Sequence, residues 1–327
     1  MIRNRLALLL IALLLPGTAL ANLSQRGDVR EFIDQLAENH GFDRDEVATL
    51  LDHAEVRQEI LDLISRPAER THNWGSYRPI FLTEPRIAGG VDFWNQHHET
   101  LARAEAVYGV PAEIIVAIIG VETFYGRHTG RHRVLDALVT LGFDYPPRAR
   151  FFRSELEHFL LMAREEGFDP RQPMGSYAGA MGIPQFISSS YRAYSVDFSG
   201  SGRRDLAGDV ADAIGSVANY LARHRWEPEQ PVAVPARVDG NGYREVIAAG
   251  LEPHTPVAEL ARQGVTPQRD DGYRGNGALI KLETDAGSEH WLVWRNFYAI
   301  TRYNHSPLYA MAVYQLSREI RAARAAQ

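Results

Sequence analysis

Residues Ile114–Gly126 read IIVAIIGVETFYG: an apolar run carries one acid, Glu122, and aromatic residues and a glycine follow it. Burying an unpaired charge is costly, so a carboxyl group in such a setting tends to keep its proton. A carboxylic acid still protonated near neutral pH is what a glycosidase needs to protonate a leaving oxygen. A structural carboxylate salt-bridged to a nearby arginine is the alternative, and this segment alone does not decide between the two.

The first 21 residues have the features of an export signal. Arg3 and Arg5 form a charged start, Leu6–Leu15 is a run of ten apolar residues, and Ala19–Ala21 is an A-x-A cleavage site. A bilayer span needs about 20 apolar residues, so this run is too short to be one. An uncleaved amphipathic anchor is the alternative reading. We expect the mature chain to begin near Asn22.

The composition narrows the class of protein. The chain of 327 residues has no cysteine, so it forms no disulfide and has no thiol for a lipid anchor. Without Arg3 and Arg5 the 35 basic residues become 33 against 41 acidic ones, a net charge of −8. This acidity argues against nucleic acid as the main partner. No later segment is long and apolar enough to span a membrane, and we expect an exported, soluble protein.

Apolar residues recur at helical spacing through most of the chain, which predicts a mainly α protein of the α+β class. The predicted helices are 28–40, 44–53, 56–65, 91–108, 111–122, 148–166, 209–224 and 307–324, with a connector over residues 66–83. Asp209 is the expected N-cap of its helix. Residues 227–297 differ, because short alternating runs at 232–234, 278–283 and 290–294 predict strands, the last two joined by a hairpin at Asp285–Gly287.

These patterns divide the chain into five predicted parts. They are a signal peptide (1–21), an N-terminal helical region (22–83), a core carrying Glu122 (84–226), a small β-containing domain (227–297) and a C-terminal segment that completes the core (298–327).

Three further segments have compositions suited to binding a ligand, and the second of them, with Tyr303 and Asn304, is suited to a sugar. Gly175–Phe186, GSYAGAMGIPQF, combines small residues that let a ligand approach the backbone with Gln185, whose amide can bind polar groups. Thr301–Ser306, TRYNHS, pairs an aromatic ring with an amide. Trp74–Tyr77, WGSY, places aromatic residues in the predicted connector. Each segment also has a purely structural alternative. The first could be a tight helix-packing turn, the second an N-cap by Asn304 or Ser306, and the third a set of aromatic residues that only pack.

Asp197–Asp212 reads DFSGSGRRDLAGDVAD and resembles an EF-hand calcium loop. Asp197, Ser199 and Ser201 stand at positions 1, 3 and 5 of that pattern, and a glycine stands at position 6. Ser201 replaces an expected acid, an arginine follows at position 7, and position 12 is a glycine instead of a glutamate. Asp209 or Asp212 could close a longer loop. Taken alone, the segment is better read as a structural turn than as a calcium site.

Several of these blocks together resemble the lytic murein transglycosylase B family. They are GVETFYGR, LDAL-x-TLGFDYPPRA-x-FF, ELEHFLLMA, GSYAGAMGIPQF, DFSGSGRRDL, DAIGSVANYL and NFYAITRYNHSPLYAMAVYQL. The resemblance as a whole covers roughly residues 28–325. The resemblance implies a lysozyme-like helical core with an additional helical region and a small β domain, acting on peptidoglycan glycan strands in the periplasm. Other cell-wall enzymes are candidate partners. The best-known members are lipoproteins, whereas this chain lacks the cysteine.

The resemblance also implies the site residues. Glu122 matches the single catalytic acid of the family. The residues that match the glycan cleft are Tyr77, Ser176, Gln185, Tyr220, Tyr303 and Asn304. The calcium loop of the family aligns with Asp197, Ser199, Ser201 and Asp212, although Ser201 departs from it. We therefore expect no required cofactor and at most a weakly bound structural calcium.

The glycosidase chemistry has two versions that the residues leave open. Classical glycosidases use two carboxylates, but Glu113 lies nine residues before Glu122 and Asp136 lies beyond a loop. A single acid suits a non-hydrolytic cleavage that leaves a 1,6-anhydro-muramoyl end. A hydrolytic muramidase with an unidentified second carboxylate is the alternative, and a non-catalytic glycan-binding module is another. A metal hydrolase built on His128 and His132 fits poorly, because HTGRH lacks the glutamate of H-E-x-x-H.

Overall fold

The computed structural model describes residues 22–66, 72–270 and 272–327, which form two compact units, one ending at His53 and one beginning at Ala54. The predicted signal peptide lies outside the described residues. The predicted boundaries at residues 83, 226 and 297 are not tested by this division and stay predictions.

The first unit contains two helices that the sequence patterns predicted. A 3-10 turn at Leu23–Gln25 precedes α1 (Gly27–His40) and α2 (Arg44–Asp52). Gly41 ends α1 in the left-handed conformation, with φ of 67°, which glycine adopts without strain. Asp43 then caps α2 by accepting the backbone N–H groups of residues 45 and 46.

The second unit contains thirteen helices within the described residues. They are α3 (Gln58–Ile64), α4 (Trp74–Phe81), α5 (Glu84–Gln96), α6 (His98–Tyr108), α7 (Ala112–Thr123), α8 (Val134–Asp144), α9 (Ala149–Glu166), α10 (Ser188–Tyr194), α11 (Val210–Arg223), α12 (Tyr243–Ala248), α13 (Val257–Arg262), α14 (Arg295–Tyr303) and α15 (Pro307–Ala325). A 3-10 turn at Pro146–Arg148 separates α8 from α9.

Two predictions about these helices were wrong. The single helix over 91–108 is two helices, α5 and α6, because the chain leaves helical geometry at His97 (φ −115°, ψ 24°). The connector over 66–83 contains α4, whose N-terminus is capped by Asn73. Thr83 caps α5 in the same way. Both cap residues can be recognised in the sequence, but a prediction based on apolar spacing does not use them as helix starts. The patterns also missed α8, α10, α12, α13 and α14.

Helix α7 lies at the centre of the helical core. Residues 114–121 are all buried, and α5, α6, α11 and α15 pack around them. A helix that is apolar on every side is stable only when it is covered in this way. No single helix of the described ranges is long and apolar enough to cross a membrane; only α6 and α7 taken together reach that length, and they meet at a bend of 113°.

The strands form two separate sheets. β1 (His132–Arg133) pairs with β2 (Met174–Gly175) beside the core. The others are β3 (Ala233–Val238), β4 (Thr255–Pro256), β5 (Val265–Pro267), β6 (Asn276–Thr284) and β7 (Gly287–Val293), in the antiparallel order β4-β6-β7-β3-β5. This sheet has its own apolar core around Leu279, Leu292 and Trp294. The predicted hairpin at 285–287 and the predicted fold class are confirmed.

Candidate active site

Glu122 lies in the last turn of α7, and the chain then turns sharply. Phe124, Tyr125 and Gly126 have consecutive positive φ angles of 51°, 62° and 84°. For residues other than glycine this conformation costs on the order of 1–3 kcal/mol each, and it persists only where the surroundings impose it. Strained turns of this kind concentrate at functional sites, which marks the end of α7 as a candidate functional site.

Close packing around Tyr125 imposes this turn. The Tyr125 hydroxyl donates to the backbone oxygen of Arg86 at 2.7 Å. Its ring lies against Gly120, where an added Cβ would stand 2.6 Å from the phenol oxygen. On the other side of the turn the Thr123 hydroxyl donates to the backbone oxygen of Ile183 at 2.8 Å. The end of α7 is therefore held from two directions.

Tyr309 contacts Glu122 directly. Its phenol donates a hydrogen bond of 2.6 Å to Oε1 of the carboxyl group. Burial, followed by the charge of Glu122, raises the pKa of Tyr309 well above its usual value of 10, so this phenol stays a donor. The sequence analysis missed Tyr309. The sequence feature that could have identified Tyr309 is its position directly after the TRYNHS segment, in the first turn of α15, which Ser306 caps.

Tyr303 stands beside this pair. Its ring is nearly parallel to that of Tyr309, with centroids 6.4 Å apart. Its hydroxyl donates to the backbone oxygen of Pro184 at 2.6 Å, which joins the end of α14 to the Gly175–Phe186 segment. Burial, and next the charge of Glu122, raise the pKa of Tyr303 well above 10. Asn304 follows immediately as the residue that ends α14 and is half-buried.

The Gly175–Phe186 segment is a pair of bridged turns and not a helix-packing turn. Residue 181 pairs with residues 175 and 186. The hydroxyl oxygen of Ser176 accepts the backbone N–H groups of residues 178 and 180 at 3.3 and 3.0 Å. Gln185 has a φ of 51° and donates its amide N–H groups to the backbone oxygens of Thr129 and Gly182. Both predicted cleft residues are thus fixed to the backbone.

The remaining predicted cleft aromatics are buried. Tyr220 is 7% exposed, donates to the backbone oxygen of Arg302 at 2.5 Å and lies 4.8 Å from Tyr303 between ring centroids. Tyr77 is 2% exposed and lies within α4, close enough to Tyr309 to raise the pKa of that phenol further. Neither ring is exposed on a loop. Any role of these two rings in sugar binding is therefore mainly indirect, through the positions of the residues packed against them.

The Asp197–Asp212 loop is closed by its own backbone. Asp197 accepts the N–H groups of residues 200 and 201 with Oδ1 and that of residue 202 with Oδ2. Asp212 is fully buried, and its two oxygens accept the N–H groups of residues 198, 199 and 205 at 2.8–2.9 Å. Asp209 caps α11, as predicted.

This loop fits calcium poorly. Calcium takes six to eight oxygen ligands, several of them from carboxylates. Both carboxylate oxygens of Asp212 already accept backbone N–H groups, and Arg203 stands 3.7 Å from Asp205. Across residues 22–66, 72–270 and 272–327 no group of three or more His, Asp or Glu side chains is arranged to hold a metal, and His128 and His132 belong to no such group.

The family model, the curated relative and the solved structures that resemble this chain all indicate the same family. A family model described as "Transglycosylase SLT domain" matches residues 24–318. Membrane-bound lytic murein transglycosylase B of Escherichia coli (strain K12) is 46% identical over 306 residues, which cover 91% of this chain and 83% of that protein. The structure of catenated lytic transglycosylase SltB1 from Pseudomonas aeruginosa is 51% identical with a TM-score of 0.86, covering 91% of this chain and 98% of that one.

Two further solved structures carry ligands. Escherichia coli lytic transglycosylase Slt35 in complex with calcium has a TM-score of 0.82 and 45% identity, covering 92% of this chain and 95% of that one. SltB3 from Pseudomonas aeruginosa in complex with NAG-anhNAM-pentapeptide has a TM-score of 0.75 and 28% identity, covering 89% and 78%. On this extent of sequence and structural similarity, the chain belongs to the lytic murein transglycosylase B family of peptidoglycan-degrading enzymes.

Proposed function

We propose that Glu122 is the single acid and base of a non-hydrolytic cleavage of peptidoglycan. Glu122 donates its proton to the oxygen between N-acetylmuramic acid and N-acetylglucosamine, and the C1–O bond breaks. The carboxylate then takes the proton of the muramoyl 6-hydroxyl while O6 bonds to C1. The products are a free N-acetylglucosamine hydroxyl and a 1,6-anhydro-muramoyl end, and no water enters.

The observation that carries this proposal is the placement of the alternative carboxylates. Glu113 begins the same helix nine residues earlier, about 14 Å away at 1.5 Å per residue, and lies 3.2 Å from Arg321. Asp136 is 2% exposed, accepts two guanidinium bonds of 2.8 Å from Arg133 and accepts the N–H of Glu55. Neither is available to activate water on the far side of the sugar, which a two-carboxylate hydrolase requires.

The surroundings of Glu122 suit an acid that later becomes a base. The C-terminal end of an apolar helix disfavours the carboxylate, whereas the Tyr309 hydrogen bond stabilises it. Tyr309 donates its hydrogen bond to Oε1 of Glu122. In the protonated acid, the transferable proton is therefore carried by the other carboxyl oxygen, Oε2. Ser176, Gln185, Tyr303 and Asn304, on segments joined through Pro184, would position the sugars, with Tyr77 and Tyr220 behind them.

The proposed location is the periplasm, after cleavage near Asn22. The proposed metal role is at most structural: one homologue binds calcium, whereas the poor fit of the 197–212 loop described above argues for a weak site here. The five predicted sequence regions are likewise retained as a proposal about domain organisation.

Mass analysis of the fragments released from purified peptidoglycan tests the reaction. Non-hydrolytic cleavage yields fragments with an anhydro end. Fragments heavier by one water, with a reducing muramic acid, would make the protein a muramidase instead. If the folded protein releases no fragment from peptidoglycan, the result would favour the alternative of a non-catalytic glycan-binding module.

A further inference from the structure

Arg86 is a half-buried arginine in the first turn of α5, and the proposed reaction leaves its side chain unused. Its guanidinium pairs with no carboxylate in the part of the chain that the structure describes. Instead, Nε donates to the backbone oxygen of Gly120 at 3.1 Å, and Nη1 donates to that of Ile80 at 2.5 Å. Burial lowers the pKa of Arg86, although an arginine still stays charged at neutral pH. A cation in such a place is costly unless its contacts require it.

The contacts of Arg86 lie on both sides of Glu122 in the sequence. Gly120 stands two residues before Glu122. Phe124 stands two residues after it, and the centroid of its ring is 5.0 Å from the guanidinium carbon of Arg86, within cation–π range. The backbone oxygen of Arg86 accepts the phenol of Tyr125 at 2.7 Å. One residue of α5 therefore holds the last turn of α7 and both aromatic residues of the strained turn that follows.

Helix α4 fixes the Arg86 side chain in this position. The ring centroid of Phe81 lies 5.2 Å from the guanidinium carbon, and Ile80 accepts the Nη1 bond. Both residues belong to the last turn of α4. The same helix carries Tyr77, which is close enough to Tyr309 to raise the pKa of that phenol. Helix α4 thus reaches the proposed site by two routes, one through Tyr77 and one through Arg86.

The charge of Arg86 suits the end of α7. The last carbonyl groups of a helix carry a partial negative charge, which disfavours a carboxylate beside them. The guanidinium is bonded to one of these carbonyl groups, that of Gly120, and its positive charge opposes the effect. A neutral side chain could replace a hydrogen bond at this position but could not supply the charge.

We propose that Arg86 is a positioning residue for Glu122. Its guanidinium holds the strained turn that follows the acid and offsets the negative end of α7, so that the carboxyl group keeps its orientation and can ionise after it has given up its proton. Arg86 acts through Gly120 and Phe124 and does not touch the glycan. This inference rests on the proposed role of Glu122 as the acid.

Steady-state kinetics on soluble glycan strands of peptidoglycan test the inference with two variants. Arg86→Met removes the charge and both hydrogen bonds but keeps a long side chain, whereas Arg86→Lys keeps the charge and one donor. Arg150→Met, at an exposed position of α9, is the matched control. A thermal melt of each variant sets the assay temperature below unfolding. Arg86→Gln, which is neutral but still donates, takes the place of Arg86→Met if the latter does not fold.

Arg86→Met should lower kcat about 10- to 100-fold while KM stays within about twofold, because no group that binds the glycan has changed. The alkaline limb of its pH–rate profile should move to higher pH, since loss of a nearby positive charge raises the pKa of the Glu122 carboxyl group. The phenols of Tyr303 and Tyr309 stay neutral in this range, because their pKa values are raised. Arg86→Lys should recover part of the lost kcat with the limb in place, and Arg150→Met should behave as the unchanged protein.

Four results would overturn the inference. They are a normal kcat in Arg86→Met, a rise in KM that accounts for its lost activity, an alkaline limb that does not move, and an Arg86→Lys variant with the same kcat and profile as Arg86→Met. The proposed function is judged separately by Glu122→Gln. If Glu122→Gln keeps its turnover, Glu122 is not the acid, whatever the Arg86 variants do. If Glu122→Gln is inactive and Arg86→Met is normal, only the inference about Arg86 fails.

Discussion

The phenol of Tyr309 donates to Oε1 of Glu122 at 2.6 Å across 187 residues of sequence. The two residues sit at the ends of adjoining helices, Glu122 in the last turn of α7 and Tyr309 in the first turn of α15. This contact engages Oε1, so Oε2 is the oxygen that the proposed mechanism uses to carry the transferable proton.

Tyr309→Phe should lower turnover by about 10- to 100-fold, the range expected for losing a hydrogen bond to a charged group. The carboxylate loses a donor that stabilised it, so the alkaline limb of the pH–rate profile should move to higher pH. Rates on peptidoglycan between pH 4 and 9 measure both effects. Lower turnover with an unmoved profile would mean that Tyr309 only packs the site.

Glu122→Gln should reduce turnover at least about 100-fold while the fold and sacculus binding remain. The amide has the same shape but neither gives nor takes the proton. A thermal melt compares the fold with that of the unchanged protein. Substantial residual cleavage would assign the acid to another residue, and a large loss of stability would favour a structural role.

Gly120→Ala should destabilise the protein by about 1–3 kcal/mol and also slow cleavage. The new Cβ would meet the Tyr125 ring at 2.6–2.8 Å, and that ring is held by Arg86. The gain in helix propensity is about 1 kcal/mol and does not offset the overlap. Gly27→Ala, which meets no atom within 4 Å, is the control for chemical denaturation. Similar stability changes in the two variants would refute the packing argument.

Asp169 should contribute stability that acid removes. Hydrogen bonds from the side chain and backbone of Arg171 lower its pKa from 3.8 to about 2. A lowered folded-state pKa means that the contribution is complete above about pH 4 and disappears as the pH falls towards 2. Asp169→Asn should therefore melt below the unchanged protein at pH 6, with the two melting temperatures converging near pH 2. A constant difference across that range would assign the effect to something other than the charge.

Calcium should raise the melting temperature by only roughly 2–4 °C at millimolar concentration. A site with a dissociation constant of about 10⁻⁴ to 10⁻³ M gains about 1 kcal/mol under those conditions. Activity in chelator should be complete, because the loop begins more than 70 residues after the end of α7, the helix that carries the proposed acid Glu122. Ser201→Asp should enlarge the shift by restoring a ligand. Loss of turnover in chelator at a temperature where the protein stays folded would contradict this prediction.

Sequence patterns predicted most of the helical framework. The apolar run of α7 and the amphipathic spacing of α1, α2, α9, α11 and α15 predicted these helices because their periodicity follows directly from burial on one side or all sides. The break at His97 and the helix α4 were not predicted. The chain leaves helical geometry at His97 without a side-chain cap, inside a continuous apolar pattern. Helix α4 depends on its cap by Asn73, which apolar spacing does not reveal. Glu122 was identified by its isolation within an apolar run.

What the sequence determined by itself is therefore the periodic framework and the family motifs, and it predicted Glu122 as the acid. Only the tertiary structure decided that Tyr309 donates a hydrogen bond to Glu122, that Tyr77 and Tyr220 are buried, and that Asp212 accepts backbone N–H groups. Local spacing encodes which face of an element is apolar, because that property depends on neighbours three or four residues away. It does not encode which polar groups meet across 100 or more residues, because that depends on how the packed elements are joined.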